Sequence, residues 1–136
     1  MNTFYVSTDK SKLDLDVIAD FLSNRSYWAK GRSRDTIEKS ITHSLCFGVY
    51  NSEDSHVGFA RVVTDFTGFA WLFDVFILEE YRGSGLGKML IKEIMSFPGL
   101  QGIKRWGLNT RDAHGLYQQF GFKNIERPDN MMELVV

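Results

Sequence analysis

Hydrophobic positions along the chain change their period several times, and each change marks an element. Phe4, Tyr5, Val6 and Ser7 make a short strand-like run. Residues 14–26 place Leu15, Ile18, Phe21 and Leu22 on one face at helical spacing, with acidic residues in the first turn where the helix dipole favours them. Tyr27, Trp28, Ala29 and Lys30 break that period, and Gly31 offers an exit. A second helix runs from there to about Ser44, capped by Ser33 or by Asp35, whose Glu38 three residues on fits a capping box. Residues 45–51 and 56–64 read as a hairpin around the turn Ser52-Glu53-Asp54-Ser55. After a second turn at 65–68, residues 69–78 are apolar almost throughout, which predicts a strand covered on both faces. Helical register returns over 87–97 through Met89, Leu90, Ile94 and Phe97, and Pro98-Gly99 stops it. The remainder predicts a strand over 103–110, a helix over 112–120, and strands over 122–125 and 131–136.

That order, β, α, α, three antiparallel strands, then α, β, α, β, β, predicts an α/β fold. Its central sheet is mixed and mostly antiparallel, with helices on both faces. No repeat, low-complexity stretch or linker interrupts it, so residues 1–136 are expected to form one domain.

Composition narrows the class of protein. With 43% hydrophobic residues in 136, the chain can bury a real core, and disorder is excluded. A formal net charge of −1 offers no basic footprint for nucleic acid. No apolar run approaches the roughly 20 residues of a membrane span. Met1-Asn2-Thr3-Phe4-Tyr5 lacks the charged and apolar regions of a secretory signal, and Cys46 is the sole cysteine. Both point to the cytoplasm, with Cys46 as a buried structural thiol. His43, His56 and His114 fall in three different elements without ligand spacing, so no metal is expected.

The candidate chemistry sits where the 69–78 strand meets the 87–97 helix. Arg82-Gly83-Ser84-Gly85-Leu86-Gly87-Lys88 places a glycine turn at a helix start. Glycine permits positive φ and close backbone approach, and the first helical turn has N–H groups without helical partners. Such a turn is an anion cradle and points to a phosphate-bearing ligand. A Walker A loop is excluded, because Met89 follows Gly87-Lys88 and Arg82 stands where its first glycine belongs. A dinucleotide fingerprint is excluded because Lys88 or Leu90 would occupy its third glycine position.

What remains, R-x-x-G-x-G between a strand and a helix, resembles the pyrophosphate loop of the GNAT N-acetyltransferases. Ala113, Leu116, Tyr117, Gly121 and Phe122 are similar to that family's second signature, A-x-x-L-Y-x-x-x-G-F. With the element order, the resemblance covers nearly the whole chain.

The resemblance implies an acyl-CoA N-acyltransferase fold. It also implies acetyl-CoA as co-substrate, and direct attack of a primary amine in a ternary complex without a covalent acyl-enzyme. The pyrophosphate would rest on Gly83, Ser84, Gly85, Leu86, Gly87 and Lys88, with added charge from Arg82 and Lys88. The pantetheine arm would run along Val75, Phe76 and Ile77, where family members open the sheet with a bulge. Thr110 stands where many relatives carry an asparagine, so its hydroxyl is expected to reach the cofactor; the neighbouring Asn109 would point to the other face of a regular strand, unless the strand ends before it. Tyr117 would be the acid for the leaving thiolate.

Asp74 is the sole charge in 69–78, and burial would raise its pKa toward that of a base. Relatives with a glutamate on this strand place it nearer Trp71, so amine binding and a purely structural role stay open for Asp74. Tyr27, Trp28 and Arg32 form an aromatic and cationic cluster that could line the acceptor pocket, with Arg61, Asp65 and Phe66 as weaker candidates. A compact chain without a strong charge imbalance favours a small-molecule amine. A protein N-terminal or lysine acetyltransferase, another acyl-CoA, and a non-catalytic CoA-sensing module remain alternatives. The apolar segment 131–136 could pair across a homodimer, since an exposed apolar edge is otherwise a liability.

Overall fold

β2 (Leu45–Asn51), β3 (His56–Thr64) and β4 (Ala70–Ile77) form an antiparallel meander at the centre of the computed structural model, which describes residues 3–136. β1 (Phe4–Ser7) joins antiparallel to β2, and β5 (Trp106–Leu108) joins parallel to β4, giving the sheet order β1-β2-β3-β4-β5. One face carries α1 (Leu15–Asp20) and α2 (Arg34–Thr42), where Ile18, Phe21, Leu22 and Ile37 pack on Cys46, Phe59 and Phe76. The other carries α3 (Leu86–Ser96), where Leu90, Ile91 and Ile94 pack on Phe47, Val49, Val62 and Leu72. Helices therefore cover both faces of a mixed sheet, as the pattern predicts.

Local chemistry explains where the elements start and stop. Asp14 caps α1 by accepting from the N–H groups of Asp16 and Val17. The helix expected over 14–26 changes to a wider π turn over Phe21–Arg25, where Ser26 N–H reaches back to the Phe21 carbonyl and Ser26 Oγ donates to that of Leu22. Ser33, not Asp35, caps α2 by accepting from Thr36 N–H, and Glu38 turns to Arg34 instead of closing a capping box. His56 is buried between layers. Asp14 N–H donates to its Nδ1, and its Nε2 meets the Gly58 carbonyl, so the ring is neutral, and burial lowers its pKa. Cys46 is buried as expected, its thiol pushed up to about 11 by burial.

The second half of the chain departs from the pattern. β5 is three residues long where 103–110 is expected, and α4 (His114–Gln118) is shorter than 112–120. Neither 122–125 nor 131–136 forms a strand. A strand needs a neighbouring edge to pair with, and no ladder among the described residues supplies one to either segment. β4 is buried at Leu72, Phe76 and Ile77, yet Phe69 and Phe73 near its start are exposed, so coverage of both faces is only partial. Among the described residues no helix is long and apolar enough to cross a membrane.

Candidate active site

The ladder between β3 and β4 contains a bulge. Phe59 pairs with Phe76 and Arg61 with Phe73, so Ala60 alone faces both Asp74 and Val75. Asp74 takes a left-handed φ of 54° there. The extra residue also switches the side-chain alternation: Leu72 faces the α3 layer, whereas Phe76, four residues on, faces the α1–α2 layer. On its other edge β4 pairs with β5 only from Ala70 to Leu72. Past the bulge, residues 75–77 keep β3 on one side but have no strand on the β5 side, and a cleft of about 510 Å³ opens between that free edge and the start of α4.

The glycine turn forms one wall of this cleft. Gly83 and Gly85 have φ of 88° and 83°, and a Cβ at either would meet nothing within 4 Å. Their role is conformational rather than one of close packing. Among the described residues, none accepts a hydrogen bond from the N–H groups of residues 83–88. They stand at the positive end of the 11-residue α3, a donor set that fits an anionic ligand such as a pyrophosphate. Arg82 is turned away from that role: its Nε donates to the Ile77 carbonyl at 3.0 Å and its guanidinium lies 3.9 Å from Glu79. It ties the turn to the end of β4. Ser84 and Lys88 are exposed and lie outside the lining of the cleft.

Tyr117 is buried at the opposite wall, its ring edge-on to Phe122 at 5.9 Å. Burial, with a smaller effect from Tyr27, pushes its phenol up to about 12. Thr110 points its hydroxyl at α4, where it accepts from Ala113 N–H at 3.0 Å, and it does not line the glycine-turn cleft.

A second cleft of about 310 Å³ lies on the far side of the bulge and reaches Tyr117 from that direction. Its floor is Asp74, with a side chain 1% exposed. Trp28 Nε1 donates to Asp74 Oδ1 at 2.8 Å, while Arg32 Nη1 at 2.8 Å and Arg61 Nε at 2.7 Å both donate to Oδ2. Burial raises the Asp74 pKa, but the hydrogen bonds and charges of Arg61 and Arg32 outweigh it and hold the carboxyl below its ordinary value. The raised pKa expected from the sequence is therefore corrected, because the low-dielectric site also contains two guanidiniums.

Tyr27, Trp28 and Arg32 do line this cleft. The Tyr27 hydroxyl accepts from Arg111 N–H at 3.0 Å, and the Arg111 guanidinium lies 3.8 Å from the ring centre. Arg61, a weaker candidate, is a full member of the cluster and also donates to Ser44 Oγ. Asp65 and Phe66 are not: Asp65 accepts from Thr67, Gly68 and Phe69 N–H groups, which hold it down to about 2, and Phe66 is exposed on the same turn. Trp71, Asn109, Arg111 and Asp112 border the two clefts without having been candidates, apart from Asn109 as a neighbour of Thr110. Among the described residues no His, Cys, Asp and Glu group is arranged to hold a metal ion.

Comparison with known proteins agrees with this geometry. The profile for an acetyltransferase (GNAT) domain matches residues 43–124. A crystal structure of a GNAT-family protein from Xanthomonas campestris pv. campestris is 44% identical, covers 98% of this chain and 94% of its own, and superposes with a TM-score of 0.95. "Putative acetyltransferase FG08082" of Gibberella zeae is 29% identical over 148 residues, spanning 94% of this chain and 84% of the relative. Glucosamine-6-phosphate N-acetyltransferase of Arabidopsis thaliana shares the fold at 14% identity, with a TM-score of 0.66 over 98% of this chain and 97% of its own. The profile, the cleft at the bulge and the two signatures agree: this chain belongs to the GNAT acetyltransferases, enzymes that draw acetyl groups from acetyl-CoA and pass them to acceptor substrates.

Proposed function

We propose that this chain transfers an acetyl group from acetyl-CoA to the primary amine of a small molecule, by direct attack within a ternary complex. The observation that carries the reading is the position of Tyr117, which lines both the glycine-turn cleft and the Asp74 cleft. Acetyl-CoA supplies a thioester carbonyl already open to attack. The N–H groups of residues 83–88 hold its pyrophosphate, and the free edge of 75–77 on the side away from β3 aligns its amide-bearing arm, as an added strand would be aligned.

Tyr117 serves the leaving sulfur. A phenol pushed up to about 12 stays protonated at pH 7. A thiol of ordinary pKa near 8.5 lies about 3.5 units lower, so full proton transfer from Tyr117 costs roughly 5 kcal/mol. Tyr117 therefore donates a hydrogen bond to the sulfur as charge develops there, and the thiol's final proton is the one the amine gives up. Asp74 is an unsuitable base, since its oxygens are already occupied by Trp28, Arg32 and Arg61. It acts as a positioning residue that fixes Trp28 and Arg32 on the acceptor wall. The amine's proton passes to water in the open cleft and from there to the departing thiolate. A cleft of about 310 Å³ walled by Tyr27, Trp28, Trp71 and Phe73 suits a small acceptor. The free, buried thiol of Cys46 accords with action in the reducing cytoplasm.

Tyr117→Phe tests the reading. Turnover, followed by thiol release over a panel of small amines, is expected to fall about 10²–10³-fold, with CoA affinity by calorimetry unchanged. Full turnover in the variant would remove Tyr117 from the chemistry.

A further inference from the structure

The charges at the floor of the acceptor cleft do not balance. Asp74 accepts from both Arg32 and Arg61, so one carboxylate stands against two guanidiniums. All three side chains are mostly buried: Asp74 is 1%, Arg61 12% and Arg32 22% exposed. Among the described residues no second carboxylate pairs with either arginine. An excess positive charge held away from water is costly unless an anion meets it.

The two arginines are not equivalent. Arg61 is committed to the protein: its Nε is on Asp74, its Nη1 donates to Ser44 Oγ at 3.1 Å, and its guanidinium carbon lies 4.7 Å from the centre of the Phe73 ring. It does not line the cleft. Arg32 does, and it gives Asp74 only Nη1. Among the described residues nothing accepts from its Nε or Nη2. That edge of a guanidinium carries two parallel N–H donors, matched to two oxygens of a carboxylate or phosphate.

The surplus also lies away from the reacting end. Tyr27, Trp28, Asp112 and Tyr117 line both the glycine-turn cleft and the Asp74 cleft, whereas Arg32 lines the Asp74 cleft alone. Asp112, the remaining charge on the wall, is 66% exposed and 3.5 Å from Arg111, so it does not cancel Arg32. The cleft therefore has an acidic group at the junction with the donor site and unmet positive charge beyond it. A ligand that is an amine at one end and an anion at the other matches both.

We propose that the Asp74 cleft takes a small amine that also carries a carboxylate or phosphate, and that Arg32 grips this anion side-on through Nε and Nη2. The proposal rests on the acceptor site assigned above and names its substrate class. Arg32 acts on specificity: it touches the far group of the acceptor, not the reacting atoms. A plain amine leaves the excess charge unmet, and a second ammonium on the acceptor is repelled by it.

Calorimetry on the full chain saturated with free CoA tests this without any chemistry. The probes are α-, β- and ω-amino acids, each against its own amide, and aminoalkyl phosphates, each against its alcohol. The best anionic compound should bind about 10–100-fold more tightly than its neutral partner, the effect of a hydrogen-bonded charge. The two series show which anion fits. Arg32→Gln, with its fold checked by circular dichroism, should bring the ratio close to one. Arg32→Lys keeps the charge without the paired donors and should retain part of the preference. The comparison on the unaltered chain stands even where a variant is unstable. Equal or tighter binding by the neutral partners, or no binding by any acid or phosphate, would overturn the proposal. So would a preference that survives in folded Arg32→Gln. Thiol release with acetyl-CoA over the same compounds tests the transfer reading separately: acids that bind by this preference but are never acetylated would count against that reading alone.

Discussion

Between Ile77 and Lys88 the molecule offers a ligand backbone N–H groups from one unbroken stretch of chain, whereas around Asp74 it offers side chains gathered from the loop before α2, from β3 and from β4. The first site depends on φ angles and on an 11-residue helix behind the donors. Its side chains are incidental: Arg82 turns back to Ile77, and Ser84 and Lys88 face solvent. The second depends on charge balance, one carboxylate against two guanidiniums and an indole N–H. A backbone site can recognise any ligand with the right phosphate geometry. A side-chain site can be rebuilt for each acceptor while the fold stays the same. That division suits a family whose members share one acetyl donor and differ in what they acetylate.

The comparison breaks most visibly at Gly85. Gly85→Asp keeps an open environment, since a Cβ there meets nothing within 4 Å, but it forces a side chain into a φ of 83°. The strain costs about 1–2 kcal/mol, less for an aspartate that tolerates this region, so the protein should remain folded. A carboxylate beside the proposed pyrophosphate site should weaken CoA binding by about 100-fold or more, some 2.7 kcal/mol, through like-charge repulsion. Calorimetric titration with CoA checks this; undiminished affinity would show that the N–H cradle is not the phosphate site. The acceptor cluster should be unaffected.

Asp74→Asn is the counterpart at the other end. Asparagine keeps the shape and tolerates the positive φ of 54°, so the variant isolates the charge. It leaves Arg32 and Arg61 facing each other with no anion between them. Removing one member of a buried ion pair costs about 3–5 kcal/mol, and the low end applies because the arginine side chains are 22% and 12% exposed. KM for the acceptor should rise while CoA affinity holds. The Asp74 carboxyl binds its proton more weakly folded than unfolded. Its contribution is therefore complete above the unfolded value of about 3.9 and is lost as pH falls through the lower folded value. The gap in Tm between the two proteins should be constant near neutrality and close in acid. Asp65, held down to about 2, is present in both and cancels. A gap that persisted at low pH would mean that shape, not charge, is what Asp74 supplies.

The two ends were also unequally legible in the sequence. The glycine turn and the Tyr117 signature each lie within ten contiguous residues, so their chemistry is written locally. Asp74 stands out as a lone charge in an apolar run, but Trp28, Arg32 and Arg61 lie 46, 42 and 13 residues away, and only the fold brings them together. The raised pKa that a lone buried carboxylate suggests is overturned for that reason. The bulge was hidden by the same apolar run: a switch of alternation between Leu72 and Phe76 leaves no trace when both phases are apolar. Residues 131–136 have the composition of a strand, yet strand formation requires a ladder that a single copy does not supply.

Thr110 marks the boundary between the two kinds of site, and its substitution has the smallest expected effect. Likeness to the family suggests a hydroxyl that touches the cofactor. In the structure that hydroxyl is already in use, accepting from Ala113 N–H at 3.0 Å where α4 begins. α4 is five residues long, too short to be stable without its packing and its start, and it carries Tyr117. Thr110→Val keeps the volume and removes the acceptor, which should cost about 1 kcal/mol, as the loss of a helix cap does. Because Thr110 does not line the glycine-turn cleft, CoA affinity should stay unchanged while Tm falls by a few degrees. Any change in kcat would come through the orientation of Tyr117, and it should vanish in a Tyr117→Phe background. A Thr110→Val chain that loses CoA affinity but keeps its Tm would move this residue into the cofactor site and make that site depend on a side chain after all.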